Sequence, residues 1–248
     1  MRIEHAAVTH VGRRSNNEDA YLAAPELGLF AVADGMGGYE GGEVASRVTV
    51  DTLRGVYRRN ADDDNTTWPF ALEPERTLGE NMLSVGIRLA DAEVQARKQG
   101  RLASMGSTVA AIAVDGRRIV VGHVGDSRVY RLRDGAITQV TRDHSLHQDM
   151  IAAGMSVPPK EQFPHANVIT RAIGMKGMVK VDLRTLDARP GDVYLLCTDG
   201  LIETVRDDRI RAVLTTLAPH DAAAVLVREA YEQGGRDNIT VVVARVVG

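Results

Sequence analysis

Apolar positions along this 248-residue chain fall into two periods. Short apolar runs at 3–9, 20–24 and 28–34 predict strands, as do four runs between 107 and 140, runs at 179–186 and 192–198, and "NITVVVARVV" from 238. Two long stretches instead repeat at helical spacing. In 43–59, Val44, Val48, Leu53 and Val56 approximate one stripe, and Glu43 suits the positive end of a helix. In 76–99, Leu83, Ile87, Ala90 and Val94 stand at i, i+4, i+7 and i+11. Further helices are predicted near 207–217 and over 221–233, the second opening on Asp221 as N-cap. Residues 60–75 are polar and aperiodic, hence an exposed loop. Residues 144–168 break the β pattern with "LHQDMIAAG" and a three-proline stretch, which predicts a loop-rich flap. Strands and helices come in blocks, without linker or repeat. That favours an α+β fold of antiparallel sheets covered by helices over a doubly wound parallel sheet, in one domain over 1–248.

Four Asp-Gly pairs punctuate this pattern. Asp115-Gly116 and Asp134-Gly135 each link two apolar runs of matched length, as two-residue hairpin turns do. Asp34-Gly35 and Asp199-Gly200 differ, because each stands at the C-terminal end of an apolar run with no partner strand directly after it. Other acids share this placement: Glu18 and Asp19 before a predicted strand, Asp126 interrupting "VVGHVGDSR", and Asp237 just before the last run.

Composition narrows the possibilities. The chain is 44% hydrophobic, enough for a substantial core, and aromatics are few, so that core is mostly Val, Leu, Ile and Ala. A net charge of -3 argues against nucleic-acid binding. No apolar run approaches the length of a membrane span, and the first residues lack the apolar segment of a signal peptide. The single cysteine, Cys197, lies in an apolar run and excludes a disulfide framework. The expectation is a cytoplasmic protein in which Cys197 is a buried small hydrophobe.

Most loop aspartates are turn formers or helix caps. Several acids at the ends of strands that share one core are another matter, because those ends form a common rim. Carboxylates crowded there repel one another, and a divalent cation removes the conflict. All-oxygen ligands select hard ions such as Mg²⁺ or Mn²⁺, and two ions sharing a carboxylate can activate water. Rival chemistries fit less well. "GMGGYEGG" has Glu40 where a dinucleotide fingerprint needs glycine, and no P-loop lysine is present. His144 and His147 lack zinc-site partners and read as polar flap residues, while Ser107 and Thr108 lack a recognisable base. Of the adjacent Arg13 and Arg14, the second stands four residues before Glu18 and beside a metal centre would suit phosphate oxygens; Arg13 reads as the bystander, but spacing by itself does not separate the two.

The segments "RSNNED" (14–19), "VADGMGG" (32–38), "GSTVAA" (106–111), "VGDSRVY" (124–130), "DHS" (143–145), "NVITRAIG" (167–174), "LLCTDGL" (195–201) and "DNITVVV" (237–243) occur in this order. Together they resemble the metal-dependent Ser/Thr protein phosphatases of type 2C (the PPM family) in their bacterial form. The resemblance spans nearly the whole chain. It implies an αββα sandwich, two antiparallel sheets between helical layers, with a two-metal site at one end. It implies that Asp34 bridges two Mn²⁺ or Mg²⁺ ions, that Gly35 offers a carbonyl, and that Asp199 and Asp237 are ligands. Glu18 and Asp19 match the acidic pair that holds metal-bound waters or touches a metal. Asp126, with Asp199, matches the site of a third, weaker metal, and Arg14 matches the phosphate-binding arginine. Residues 145–168 match a flap beside the site. The implied reaction is hydrolysis of phosphoserine and phosphothreonine by a metal-bridging hydroxide, in a monomer that opposes a Ser/Thr kinase. The rival readings are a catalytically weak phosphoprotein-binding module of the same fold and another metal hydrolase such as a phosphodiesterase. One position departs from the pattern: Tyr39 stands where bacterial members often carry a histidine, a candidate proton donor.

Overall fold

Side chains alternate across each strand, and that alternation sorts this chain into layers. The computed structural model describes residues 1–37, 41–62 and 68–248; Tyr39 lies outside them. One sheet places β1 (Ile3–His10), β11 (Ile239–Val246), β10 (Val193–Cys197), β7 (Arg128–Arg133) and β8 (Ala136–Gln139) side by side in that order. The other runs β2 (Asp19–Ala24), β3 (Leu29–Met36), β5 (Val109–Asp115), β6 (Arg118–Val124) and β9 (Asp182–Asp187), with the short β4 (Gly106–Ser107) paired to the end of β3. Every pairing among these strands is antiparallel.

In β3, Leu29, Ala31 and Ala33 pack with Leu53 of α1 (Gly41–Asp62) and with Leu83 and Ile87 of α2 (Leu78–Ala96). The alternate residues Phe30 and Val32 meet Tyr194, Leu196 and Val242 of the other sheet. On that sheet's far face, Leu195, Cys197, Val241 and Val243 pack with α5 (Asp207–Thr216) and α6 (Pro219–Glu232) through Ile210, Leu214 and Leu226. The result is the expected αββα sandwich, with apolar packing at all three interfaces. Central strands are covered on both faces, which is why they appear in sequence as solid apolar runs. Cys197 is fully buried, and burial pushes its thiol up to about 12. No helix among the described residues is long and apolar enough to cross a membrane.

Several boundaries differ from the sequence reading, each for a local reason. Helix α2 begins at Leu78 because Thr77 and Glu80 form a capping box: the Thr77 hydroxyl accepts the Glu80 N–H, and the Glu80 carboxylate accepts the Thr77 N–H. Helix α6 opens slightly earlier than expected, with Ala218 as N-cap and Pro219 in its first turn, so Asp221 is a first-turn acid rather than the cap. The β7–β8 turn is Asp134-Gly135, both with positive φ. In the β5–β6 hairpin, however, Asp115 pairs with Arg118, and the two-residue loop is Gly116-Arg117. The strand expected over 179–186 is shorter at its start, since β9 begins at Asp182. Within the flap only α3 (Leu146–Ala152) is α-helical, and an isolated bridge between Ser145 and Ile169 ties its two ends. His144 and His147, expected as polar flap residues, are buried.

Phe30 sits fully buried between the sheets. Phe30→Ala is expected to cost about 3–5 kcal/mol, measured by urea denaturation; a loss under about 1 kcal/mol would show that the inter-sheet layer is not tightly packed there.

Candidate metal centre

The layer between the sheets is apolar along most of its length and polar at one end. The inward series Phe30, Val32 of β3 continues to Asp34; Ile112, Ala110 of β5 to Thr108; Tyr194, Leu196 of β10 to Thr198; and Val242 of β11 to Thr240. Asp19 at the start of β2 pairs in register with Asp34. The sheet register therefore gathers acids that lie far apart in sequence.

The two Asp-Gly pairs that lack a hairpin are close approaches of backbone. A Cβ on Gly35 would lie 2.0 Å from the Gly42 carbonyl oxygen and 2.5 Å from that of Glu18. A Cβ on Gly200 would lie 2.0 Å from the Asn238 carbonyl oxygen. Glycine lets the Asp34 segment lie against Glu18 and the start of α1, and the Asp199 segment, which opens the short α4 (Asp199–Ile202), lie against Asn238 and Ile239.

A cleft of about 590 Å³ opens at this end, and Arg14, Glu18, Asp34, Gly35, Asp199 and Asp237 all line it. Asp19 and Asp126 are buried, at 8% and 5% exposure, and their charges act on Asp34 from behind the cleft floor. Arg14 donates from Nη2 to Asp237 Oδ2 at 2.6 Å. Arg13 turns away, its guanidinium 5.9 Å from the Tyr231 ring centre. The two adjacent arginines thus take different partners.

Polar groups to which the sequence reading assigned no role at the site hold these acids. Thr198 and Thr240 hydroxyls both donate to Asp19 Oδ2, at 2.8 and 2.6 Å. Thr108 Oγ1 accepts the Asp34 N–H at 2.9 Å and is bonded to Ser127 Oγ at 2.7 Å. The Asn238 side chain accepts the Glu18 N–H and donates to the carbonyls of Val11 and Asn16, pinning the 11–18 loop to the start of β11. The available signal was adjacency, since each stands within one of the quoted motifs. Glu203 carried no motif, yet its charge bears on Asp199.

Burial, reinforced by mutual repulsion, raises Asp34 and Asp199 well above the usual carboxylate range. Burial pushes Asp19 up to about 7, against the pull of its two threonine bonds. Asp126 rises to about 6 through burial and the nearby Asp143. Oδ1 of Asp19, Asp126 and Asp199 is in each case buried without a hydrogen-bond partner among the described residues. Of these acids Asp199 lines the cleft and the other two lie behind it, and no three His, Cys, Asp or Glu side chains among the described residues form a ready-made ion cage. Even so, orphaned carboxylate oxygens, an all-oxygen donor set and a glycine-lined backbone at Gly35 fit hard divalent cations with water completing their shells.

For Asp34 the folded pKa lies above the unfolded value of about 3.9. Its protonated form favours folding, so in metal-free protein that contribution is full below the unfolded value and is lost as pH rises through the folded one. In chelator, Asp34→Asn is expected to be more stable than the parent at pH 8, on the order of 1–3 kcal/mol, with the gain shrinking towards pH 5. Denaturation curves showing no gain at pH 8 would remove the case for electrostatic crowding.

Comparison with known proteins agrees with this geometry. Residues 8–230 match the family model described as protein phosphatase 2C. Serine/threonine protein phosphatase PstP of Mycobacterium tuberculosis is 38% identical over 237 residues, covering 94% of this chain but only 43% of that protein, so the chain spans less than half of that relative's length. Protein phosphatase PhpP of Streptococcus pneumoniae is 32% identical over 245 residues, covering 96% of both. Among solved structures, the catalytic domain of PstP in complex with two manganese ions superposes with a TM-score of 0.81 at 36% identity, covering 99% of each chain. By sequence match, fold and the acids that converge on its cleft, this chain belongs to the protein phosphatase 2C family.

Proposed function

We propose that this chain hydrolyses phosphoserine and phosphothreonine in proteins with the help of two divalent cations, Mn²⁺ or Mg²⁺, and that residues 1–248 form one catalytic unit whose flap covers about 145–168. The observation that carries the reading is the single cleft in which Asp34, Asp199, Asp237 and Glu18 face Arg14. The manganese ions of the related PstP domain support the choice of metal.

In this reading Asp34, the Gly35 carbonyl, Asp199 and Asp237 hold the two ions. Glu18 and Asp19 serve their waters, and Asp126 with Asp199 serves a weaker third. When bound, such ions supply Lewis acidity towards phosphoryl oxygens and lower the pKa of water. The chain's own groups do the rest. Arg14 uses one amino group on Asp237 and keeps its other N–H donors for a phosphoryl oxygen. Thr198 and Thr240 hold Asp19 in one orientation, and Thr108 holds the backbone of Asp34. The cleft is open enough to admit a phosphorylated side chain presented by a protein segment. Partners are then phosphoproteins and a Ser/Thr kinase whose action this chain reverses. The working unit in this reading is a monomer. The buried, unpaired Cys197 is in keeping with a cytoplasmic enzyme. Against a purely binding module stands the presence of every one of these acids.

Manganese-dependent release of phosphate from a phosphothreonine peptide, abolished by EDTA, is the direct test. Asp237→Asn or Asp199→Asn is expected to lower kcat/KM by on the order of 10²–10³; a variant with full activity at saturating manganese would overturn the ligand set. Arg14→Ala is expected to lower kcat/KM by about 10–100-fold, the loss of one charge-assisted contact. Tight phosphopeptide binding without turnover would instead indicate the regulatory module, and faster cleavage of a phosphodiester a different hydrolase.

A further inference from the structure

His144 is 1% exposed and lies where three parts of the chain cross. Its Nδ1 accepts the Gly125 N–H at 3.0 Å, and its backbone N–H donates to the Gly125 carbonyl at 2.8 Å. Both backbone polar groups of the residue before Asp126 are therefore held by His144. A bare Nδ1 leaves the ring proton on Nε2, which lies 3.0 Å from Asp182 Oδ2 of β9 and 3.1 Å from Arg171 Nη1; of the two only the carboxylate can accept that proton. Arg171 donates to Asp182 Oδ1 at 2.6 Å, so the carboxylate that orients the imidazole is itself anchored. Burial and the Arg171 charge both disfavour the imidazolium, which keeps the ring in this neutral form. The same residue is a root of the flap: its carbonyl accepts the Thr170 N–H at 3.0 Å, next to the Ser145–Ile169 bridge. Asp126 Oδ1 has no hydrogen-bond partner among the described residues. The Asp126 carboxylate does take a hydrogen bond from its own backbone N–H, so the backbone that His144 grips bears on its direction.

We infer that His144, oriented by Asp182, is a positioning residue that fixes the Asp126 carboxylate through Gly125 and ties it to the base of the flap. The inference rests on the reading above, in which Asp126 serves the weaker third cation. A ligand held by backbone geometry depends on such an outer partner. A buried imidazole can set the backbone more firmly than a solvent-exposed contact.

Manganese titration calorimetry on the full chain, with amide hydrogen exchange at Gly125, tests it. Asp126→Ala is the reference and must remove the weakest binding phase; if that phase survives, the assignment of Asp126 fails and the inference falls with it. His144→Ala is expected to weaken that phase at least tenfold and to speed Gly125 exchange at least tenfold, with the tighter phases within twofold of the parent. His144→Asn, whose Oδ1 can accept the Gly125 N–H, is expected to restore the weak phase to within threefold. Asp182→Asn, at a half-exposed carboxylate, is expected to weaken it three- to fivefold; with His144→Asn it decides the matter if His144→Ala does not fold. A generally structural role would move all phases together and would not be rescued by asparagine. If Asp126→Ala removes the weak phase while both His144→Ala and Asp182→Asn, or Asp182→Asn alone where the alanine variant does not fold, leave it within twofold, the inference is wrong.

Discussion

Like charges forced together where they are poorly solvated are the constraint on which this structure turns. Asp19, Asp34, Asp126 and Asp199 stand at one end of the inter-sheet layer, each driven towards protonation chiefly by burial and further by its neighbours. A core built for stability alone would place apolar or hydroxyl side chains there, as the same layer does elsewhere with Phe30, Val32 and Leu196. Cations of two charges turn this mutual repulsion into shared attraction. Affinity for metal and the electrostatic crowding of the acids have the same physical origin.

Everything around the acids limits how far they can relax. The two sheets fix the strand ends, and the register of β2 against β3 places Asp19 beside Asp34 without help from either side chain. Threonine hydroxyls from the opposite sheet then hold Asp19 across the layer, so the site also staples the sandwich together at its polar end. Gly35 and Gly200 allow backbone to approach backbone where any side chain would collide. Such rigid elements leave the carboxylates little freedom to spread apart, which favours a pre-arranged site over one assembled on binding.

On its outer side the site meets softer structure. The cleft wall includes Asn167, Ile169 and Met175, from the end of the flap and the segment after it. The flap's roots are tied to the rigid part through His144, Arg171 and Asp182. The cleft therefore combines an acidic floor with a wall that a short chain of hydrogen bonds connects to it.

The layered fold was legible in the sequence because strands covered on both faces must be apolar at nearly every position, and two long helices carried clear stripes. The acids were legible because a carboxylate at the end of an apolar run conflicts with its surroundings, and the motifs that carry them occur in a recognisable order. Local competition decided what was misread. The start of α2 is set by the Thr77–Glu80 box, which a count of apolar spacing does not register, and Pro219 rather than Asp221 opens α6. His144 read as a polar flap residue because its partners, Gly125 and Asp182, are remote in sequence. What the sequence by itself determined is which residues are chemically costly to bury and where each strand must end. Which of those ends meet, and that Thr198, Thr240 and Asn238 would be the groups to hold them, only the tertiary structure decided, because pairing register and sheet stacking depend on contacts between segments with no local signature.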